Sequence, residues 1–483
     1  MIVLLREAGR TALCAIAVML MLVSGSALAA GQKPNIIYII ADDLGWKDVG
    51  YHGSDIKTPA IDKLAATGVR LEQFYAQPMC TPTRAALMTG RYPFRYGLQT
   101  AVIPASSTLG TYGLPTDEYT LPQTLKDAGY RTAIIGKWHL GHADQKYWPK
   151  QRGFDSSYGM MIGEADYFTR KVEGVEDWYR DNNPIHEEGY TTTLIGNEAV
   201  KLIESYDRKV PLYLYLTFNA PHTPYQAPQE YLDRYKSAGD SARVAYAASI
   251  TAMDDQIARV LKALEKNKMR NDTLIVFQSD NGGTRNALFA GTGFDVSKVK
   301  IPCDNGPYRE GKGSLYEGGT RVVAFANWPR HIKAGTSNEM LHVVDLFPTM
   351  AGVAGASTSK SKPLDGMDVW PTLSEGKPSP RTEVVYNIEP YRAGVRQGDW
   401  KLIWGTTLPG KVELYNIKDD ASEKNNLAAQ NPDKVATLQK RATELAAAGV
   451  KPTLLEVSFK EIMHEMHAPP AFPGEELEFG QEN

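Results

Sequence analysis

Four stretches of this chain are apolar almost without interruption and stop abruptly at polar residues. Asn35–Ala41 (NIIYIIA) runs into Asp42-Asp43-Leu44-Gly45, and Arg131–Gly136 into Lys137-Trp138-His139. Pro211–Asn219 runs into Ala220-Pro221-His222, and Thr273–Ser279 into Asp280-Asn281-Gly282-Gly283. Runs without alternation suit strands covered on both faces, as in α/β sheets. Between them lie helical patterns: Leu121, Leu125 and Ala128 ahead of Gly129, and a stripe of Val244, Ala247, Ile250, Ile257, Val260, Leu261 and Leu264. Strands alternating with helices predict an α/β fold with a largely parallel or mixed sheet. In such sheets ligands bind beyond the carboxyl ends of the strands. If the four strands point the same way, their polar ends meet at one edge.

Later the pattern changes. A helix begins around Asp345-Leu346-Phe347, and Pro363–Pro371 reads as a turn-rich connector. Val384–Ile388, Ala393–Val395, Trp400–Trp404 and Val412–Tyr415 read as short antiparallel strands, with a helix over Asp433–Ala448 to cover them. The expected organisation is a catalytic domain over 31–375, a smaller C-terminal α+β subdomain over 383–449, and an extended tail over 450–483. Residues 1–30 stand apart. Arg6 and Arg10, the apolar run Thr11–Val23 and the small residues Ala27-Leu28-Ala29 make a signal peptide. The mature protein is therefore expected to be exported, periplasmic or secreted, with no membrane span after cleavage.

Composition adds little beyond exclusion. The chain is 42% hydrophobic and 23% charged with a net charge of -3, which argues against a nucleic-acid partner. Attraction for an anion would have to be local. Cys14 leaves with the signal, so Cys80 and Cys303 remain; they could pair, unless Cys80 is spent on catalysis.

The polar ends carry the candidate chemistry. Asp42, Asp43, Asp280 and Asn281 are hard oxygen ligands suited to Ca2+ or Mg2+, although Asp-Asp and Asp-Asn-Gly-Gly are also ordinary turn formers. Lys137 and His139, two apart, share a face if the chain is extended there. His222 sits between prolines, and Lys312 lies in a glycine-rich segment. In Cys80-Thr81-Pro82-Thr83-Arg84, Thr81 is placed to cap a helix with Pro82 in its first turn and Gly90 at its stop. Cys80 would then sit at the positive end of that helix, where an anion is favoured. The same segment also suits a buried structural cysteine. Glu164, Asp166, Tyr167 and Arg285 are candidates for substrate contact.

The pattern C-x-P-x-R at Cys80 followed by Thr89-Gly90-Arg91 resembles the maturation signature of the type I, formylglycine-dependent sulfatases. Further shared stretches are ADDLGWKDVGYHG from Ala41, GKWHLG from Gly136, QRGFD from Gln151, SDNGG from Ser279, SLYEGG from Ser314 and PLDGMDVWPTLSEGKPSPR from Pro363. They are most similar to the arylsulfatase B branch, the N-acetylgalactosamine-4-sulfatases, whose mammalian members carry more cysteines than this chain. The resemblance implies an alkaline-phosphatase-like fold and a calcium-dependent sulfuric ester hydrolase. It implies that Cys80 is oxidised to formylglycine by a formylglycine-generating or anaerobic sulfatase-maturating enzyme. Asp42, Asp43, Asp280 and Asn281 would hold Ca2+ facing the modified Cys80, and Arg84 would steady its hydroxyls. Lys137, His139, His222 and Lys312 would contact the sulfate or move protons. The implied substrate is a sulfated carbohydrate, such as a 4-O-sulfated N-acetylgalactosamine or galactose unit. A phosphonate or phosphate-ester hydrolase of the same superfamily and a non-catalytic glycan-binding protein are the alternatives.

Overall fold

The computed structural model describes residues 33–103, 112–285 and 301–458. The expected signal peptide and the expected tail beyond residue 458 lie outside these residues. The four apolar runs form neighbouring parallel strands: β1 (Asn35–Ala41), β2 (Arg131–Gly136), β3 (Leu212–Thr217) and β4 (Thr273–Ser279), in the spatial order β4-β1-β3-β2. Their registers align the carboxyl ends. Ala41 pairs with Ser279, Ile40 with Thr217, and Thr217 with Gly136. The sheet extends to ten strands by antiparallel and parallel additions at both edges, so it is mixed.

Side-chain alternation on these strands feeds two cores. Ile36, Tyr38 and Ile40 join Tyr213 and Tyr215 on one face, while Ile37, Ile39 and Ala41 join Leu212, Leu214 and Leu216 on the other. Both faces exclude water, which is why the runs need no polar alternation; each buried Ile or Leu contributes about 1.5–3 kcal/mol. The first face is covered by helix α1 (Cys80–Thr89), through Ala85 to Met88, and the second by helix α2 (Ser241–Lys266), through Tyr246, Ile250, Ile257 and Leu264.

The C-terminal part forms a separate four-stranded antiparallel sheet of Glu383–Glu389, Arg392–Gln397, Trp400–Gly405 and Lys411–Asn416. The helix Pro432–Ala447 covers one face through Leu438 against Leu402 and Leu414. The other face meets the main body: Val384, Tyr386 and Tyr415 cluster with Tyr75 and Leu315. At this junction the fully buried Lys401 ammonium reaches Glu317 (2.8 Å) and Glu423 (2.9 Å). The Pro363–Pro371 connector is shorter than the sequence suggests. A helix starts at Trp370, because Pro371 sits in its first turn, where no backbone donor is required.

Candidate active site

Strand ends, one helix and one loop bring the candidate residues together. Asp42 and Asp43 follow β1, Asp280 and Asn281 follow β4, Lys137 follows β2, and His222 lies shortly after β3. Two of the turning residues are strained: Asp43 has φ +65° and His139 φ +56°, a left-handed backbone that costs a non-glycine residue roughly 1–3 kcal/mol. Gly136, at φ +115°, is required where it stands, since a Cβ there would lie 1.8 Å from the Thr217 carbonyl.

Helix α1 begins earlier than the sequence suggests. Met79 is the cap and Cys80 the first helical residue, with Thr83 donating to the Met79 carbonyl at 3.1 Å. Thr81 does not cap. Its hydroxyl donates to the His139 carbonyl (3.0 Å) and accepts from the Val102 amide (3.0 Å), a buried bridge that outcompetes a local cap. Pro82 is tolerated at the third position because none of the first four amides has an intrahelical partner. Gly90 stops the helix as expected, at φ +65° with its amide on the Ala86 carbonyl.

Three buried carboxylates face three buried cations. Lys137 hydrogen-bonds Asp42, and the Cys80 Sγ lies 3.5 Å from Asp42 Oδ1. Arg84 donates to Asp280 Oδ2 from Nε (3.3 Å) and Nη2 (2.9 Å), and lies 3.7 Å from Asp42. Lys312 reaches Asp43 Oδ2 at 2.9 Å and His222 Nε2 at 2.8 Å. Burial alone would push the Asp43 carboxyl up, but Lys312 and His222 bring it well below the usual carboxylate range. Burial and Asp42 push Asp280 up to about 6 against the pull of Arg84. Burial pushes the Cys80 thiol far up despite Lys137 and Lys312, so the encoded side chain is a thiol, not a thiolate, at neutral pH.

The histidines have defined proton roles. His222 Nδ1 lies 2.8 Å from the Thr223 carbonyl, which can only accept, so Nδ1 carries the hydrogen and Nε2 accepts from Lys312. Burial and then Lys312 push His222 down to about 4. His139 donates Nε2 to the Val102 carbonyl (2.7 Å), leaving Nδ1 buried and without a hydrogen-bond partner among the described residues. Gly163 packs under this ring: a Cβ there would come within 2.5 Å of it.

The Asp42 and Asp43 carboxylates and the Asn281 amide oxygen at this cluster are hard donors of the kind a divalent cation takes. Ligand atoms of Asp42, Asp43, Cys80 and His222 lie within 4.8 Å of one another. Asn281 donates Nδ2 to Asp43 (2.7 Å), and its Oδ1 is buried with no partner among the described residues. Carboxylates plus an amide oxygen favour Ca2+ or Mg2+ over softer ions. Thr284, which the sequence reading missed, donates to Asp43 Oδ2 at 3.0 Å. Its place directly after the Asp280-Asn281-Gly282-Gly283 turn was the available signal.

The four candidate substrate contacts separate. Arg285 lines a cavity beside Lys312. Asp166 builds its own loop instead, accepting from the amides of Phe168 (2.9 Å) and Thr169 (2.7 Å) and from Gln226 (2.7 Å). Tyr167 is not a surface contact: it is 1% exposed, and its hydroxyl donates to the carbonyls of Asn219 and His222 at 2.8 Å each. It therefore supports the His222 loop from below. Glu164 lies in the same segment, close enough to His222 to act on its charge.

Known proteins resemble this chain over most of its length. The sulfatase family model matches residues 34–356, and the model of the N-sulphoglucosamine sulphohydrolase C-terminal region matches 310–448. Arylsulfatase J of Mus musculus is 38% identical over 403 residues, covering 81% of this chain and 64% of its own length. N-acetylgalactosamine-6-sulfatase of Rattus norvegicus is 36% identical over 371 residues, covering 72% of this chain and 68% of its own. This chain thus spans about two thirds of the length of these relatives. The crystal structure of Ps i-CgsB, solved in complex with k-i-k-neocarrahexaose, superposes with a TM-score of 0.79 at 32% identity, covering 91% of this chain and 99% of that one.

Proposed function

The chain belongs to the sulfatase family, and from that premise we propose that it is a calcium-dependent hydrolase of sulfate esters on a carbohydrate. The carrying observation is the meeting of Asp42, Asp43, Cys80, Lys137, His222, Asp280 and Lys312, drawn from six chain segments, in one buried cluster. Charge arithmetic supports an anion there. Asp42, Asp43 and Asp280 are balanced by Arg84, Lys137 and Lys312. A divalent cation held by Asp42, Asp43, Asp280 and Asn281 would add two positive charges, enough for a sulfate ester and one deprotonated hydroxyl. When bound, that ion would supply Lewis-acid polarisation of a sulfate oxygen.

Cys80 as encoded is a poor nucleophile, because burial keeps it protonated. Its oxidation to formylglycine would supply, on hydration, one hydroxyl to attack sulfur and a second to expel sulfate afterwards. Asp280, fixed by Arg84, accepts the proton of the attacking hydroxyl. The departing sugar oxygen takes its proton at His222 Nε2, which lies 2.8 Å from the Lys312 ammonium, so that the His222–Lys312 pair together acts as the acid. His139 Nδ1 accepts the second hydroxyl proton, while Lys137 orients Asp42. One general acid gives about 10²–10⁴-fold and enzymes supply ~8–23 kcal/mol, so no single histidine suffices. The cation cage and the covalent route make up the difference.

The substrate proposed is a sulfated oligosaccharide or polysaccharide bearing, for example, a 4-O-sulfated N-acetylgalactosamine or galactose unit. The proposed organisation is a catalytic domain over 31–375 and a C-terminal subdomain over 383–449, in an exported protein matured by a formylglycine-forming enzyme. Among the described residues no helix is long and apolar enough to cross a membrane. Side-by-side turnover of p-nitrophenyl sulfate, phosphate and phenylphosphonate, with calcium and after EGTA treatment, tests the reading. Sulfate should be preferred and EGTA should abolish turnover; a preference for phosphate or phosphonate would overturn it.

A further inference from the structure

Beside Lys312 lies a cavity of about 500 Å³ whose far wall belongs to the C-terminal sheet. Met79, which caps the Cys80 helix, and the Gly311–Gly313 peptides form its near side. An occupant would therefore adjoin an ester held at Cys80 and Lys312. Tyr391 stands at the turn between the strands Glu383–Glu389 and Arg392–Gln397 and is 43% exposed. This turn is fixed to the candidate active site. Arg392 donates Nη1 to the Gly313 carbonyl (2.7 Å), and Nε and Nη2 to Glu389 (3.0 and 2.8 Å). Arg285 also lines the cavity and is exposed, with Nη1 on the Cys303 carbonyl (2.9 Å). Ser314 also lines the space, and its buried hydroxyl has no hydrogen-bond partner among the described residues.

Resting on the sulfatase reading, we propose that this cavity is a second carbohydrate subsite. The unit next to the sulfated one stacks on Tyr391, and an anionic group that it carries pairs with Arg285. The volume lies within the range of small-ligand sites. A tyrosine ring offers a rigid apolar face with a polar tip, which matches a pyranose at small entropic cost. Arg392, occupied by Glu389 and Gly313, is a positioning residue for Tyr391. The enzyme would accordingly select chains bearing charge on neighbouring units over isolated sulfated sugars.

The test is inhibition of p-nitrophenyl sulfate turnover by hexasaccharides of chondroitin 4-sulfate and ι-carrageenan, and by their desulfated counterparts. At least one sulfated hexasaccharide should inhibit at least about tenfold more tightly than its desulfated form. Tyr391→Ala should raise the ratio of Ki to the variant's own KM about five- to tenfold, and Arg285→Ala about two- to fivefold. Leu408→Ser, at the tip of the adjacent hairpin and 96% exposed, should leave the ratio unchanged. The subsite is refuted if no hexasaccharide inhibits, or if the ratio is the same in both variants as in the wild type. Absent turnover of the aryl sulfate would instead count against the sulfatase reading. Calorimetric titration of the same hexasaccharides then still reads the subsite, which weak or variant-insensitive binding would exclude.

Discussion

Replacing His222 by alanine tests the proposed proton path, because the expected loss depends on the leaving group. His222 Nε2 is 2.8 Å from the Lys312 ammonium, and its Nδ1 is held by the Thr223 carbonyl at the same distance. Nε2 is therefore the ring nitrogen at which the leaving oxygen is protonated, and the His222–Lys312 pair is the proposed acid. A sugar alkoxide cannot leave without that proton. A nitrophenolate leaves readily without it. General acid catalysis of this kind is worth about 10²–10⁴-fold, or roughly 2.7–5.4 kcal/mol at 1.36 kcal/mol per decade. His222→Ala should lower kcat on a sulfated oligosaccharide by that amount, yet lower kcat on p-nitrophenyl sulfate by less than about tenfold. Steady-state assays on both substrates, with the Cys80 peptide and the bound metal quantified in each preparation, give the comparison. Equal losses on the two substrates would refute the acid role and leave His222 as a sulfate contact only.

Three further outcomes are expected. Asp43→Asn should lower calcium retention measured by atomic emission at least tenfold, since one of three carboxylates is lost; unchanged metal content would remove Asp43 from the ligand set. Lys401→Met leaves Glu317 and Glu423 buried together and should cost about 3–5 kcal/mol, read from urea unfolding followed by tryptophan fluorescence. Burial raises Glu423 to about 7, above its unfolded value, so its contribution is full at acid pH and fades as pH rises through 7. The deficit of Lys401→Met should accordingly shrink between pH 8 and pH 5; a deficit that grows would contradict this. Tyr167→Phe removes the hydroxyl under the His222 loop and should lower kcat about three- to tenfold, an effect on the order of one hydrogen bond, with KM nearly constant. A rise in KM alone would mark Tyr167 as a substrate contact after all.

The strands that carry the site were legible because their burial on both faces leaves unbroken apolar runs, and because polar residues begin where each strand ends. β1, β2 and β4 match the expected limits, and β3 is shorter by one residue at its start and two at its end. What the sequence could not reveal depends on partners far along the chain. Thr81 looks like a helix cap, but its hydroxyl is spent on His139 and Val102, 58 and 21 residues away. Tyr167 looks like a surface aromatic, but its partners lie 52 and 55 residues on. Lys401 and Glu317, 84 residues apart, pair at the junction of the C-terminal sheet with the main body, and nothing local to either one points to the other. Tyr391 falls between two expected strands without any reading of its own; only the packing of the C-terminal sheet against the Lys312 loop places it beside the candidate active site.

The proposed chemistry depends on replacement of the thiol encoded at position 80 by an oxygen nucleophile. Preparations made with and without a co-expressed maturation enzyme will differ in the fraction of Cys80 carried as the aldehyde, which mass spectrometry of the tryptic peptide reports. Specific activity on p-nitrophenyl sulfate should rise in proportion to that fraction and extrapolate to zero for the pure thiol. Full activity in a preparation whose Cys80 is entirely thiol would contradict the account.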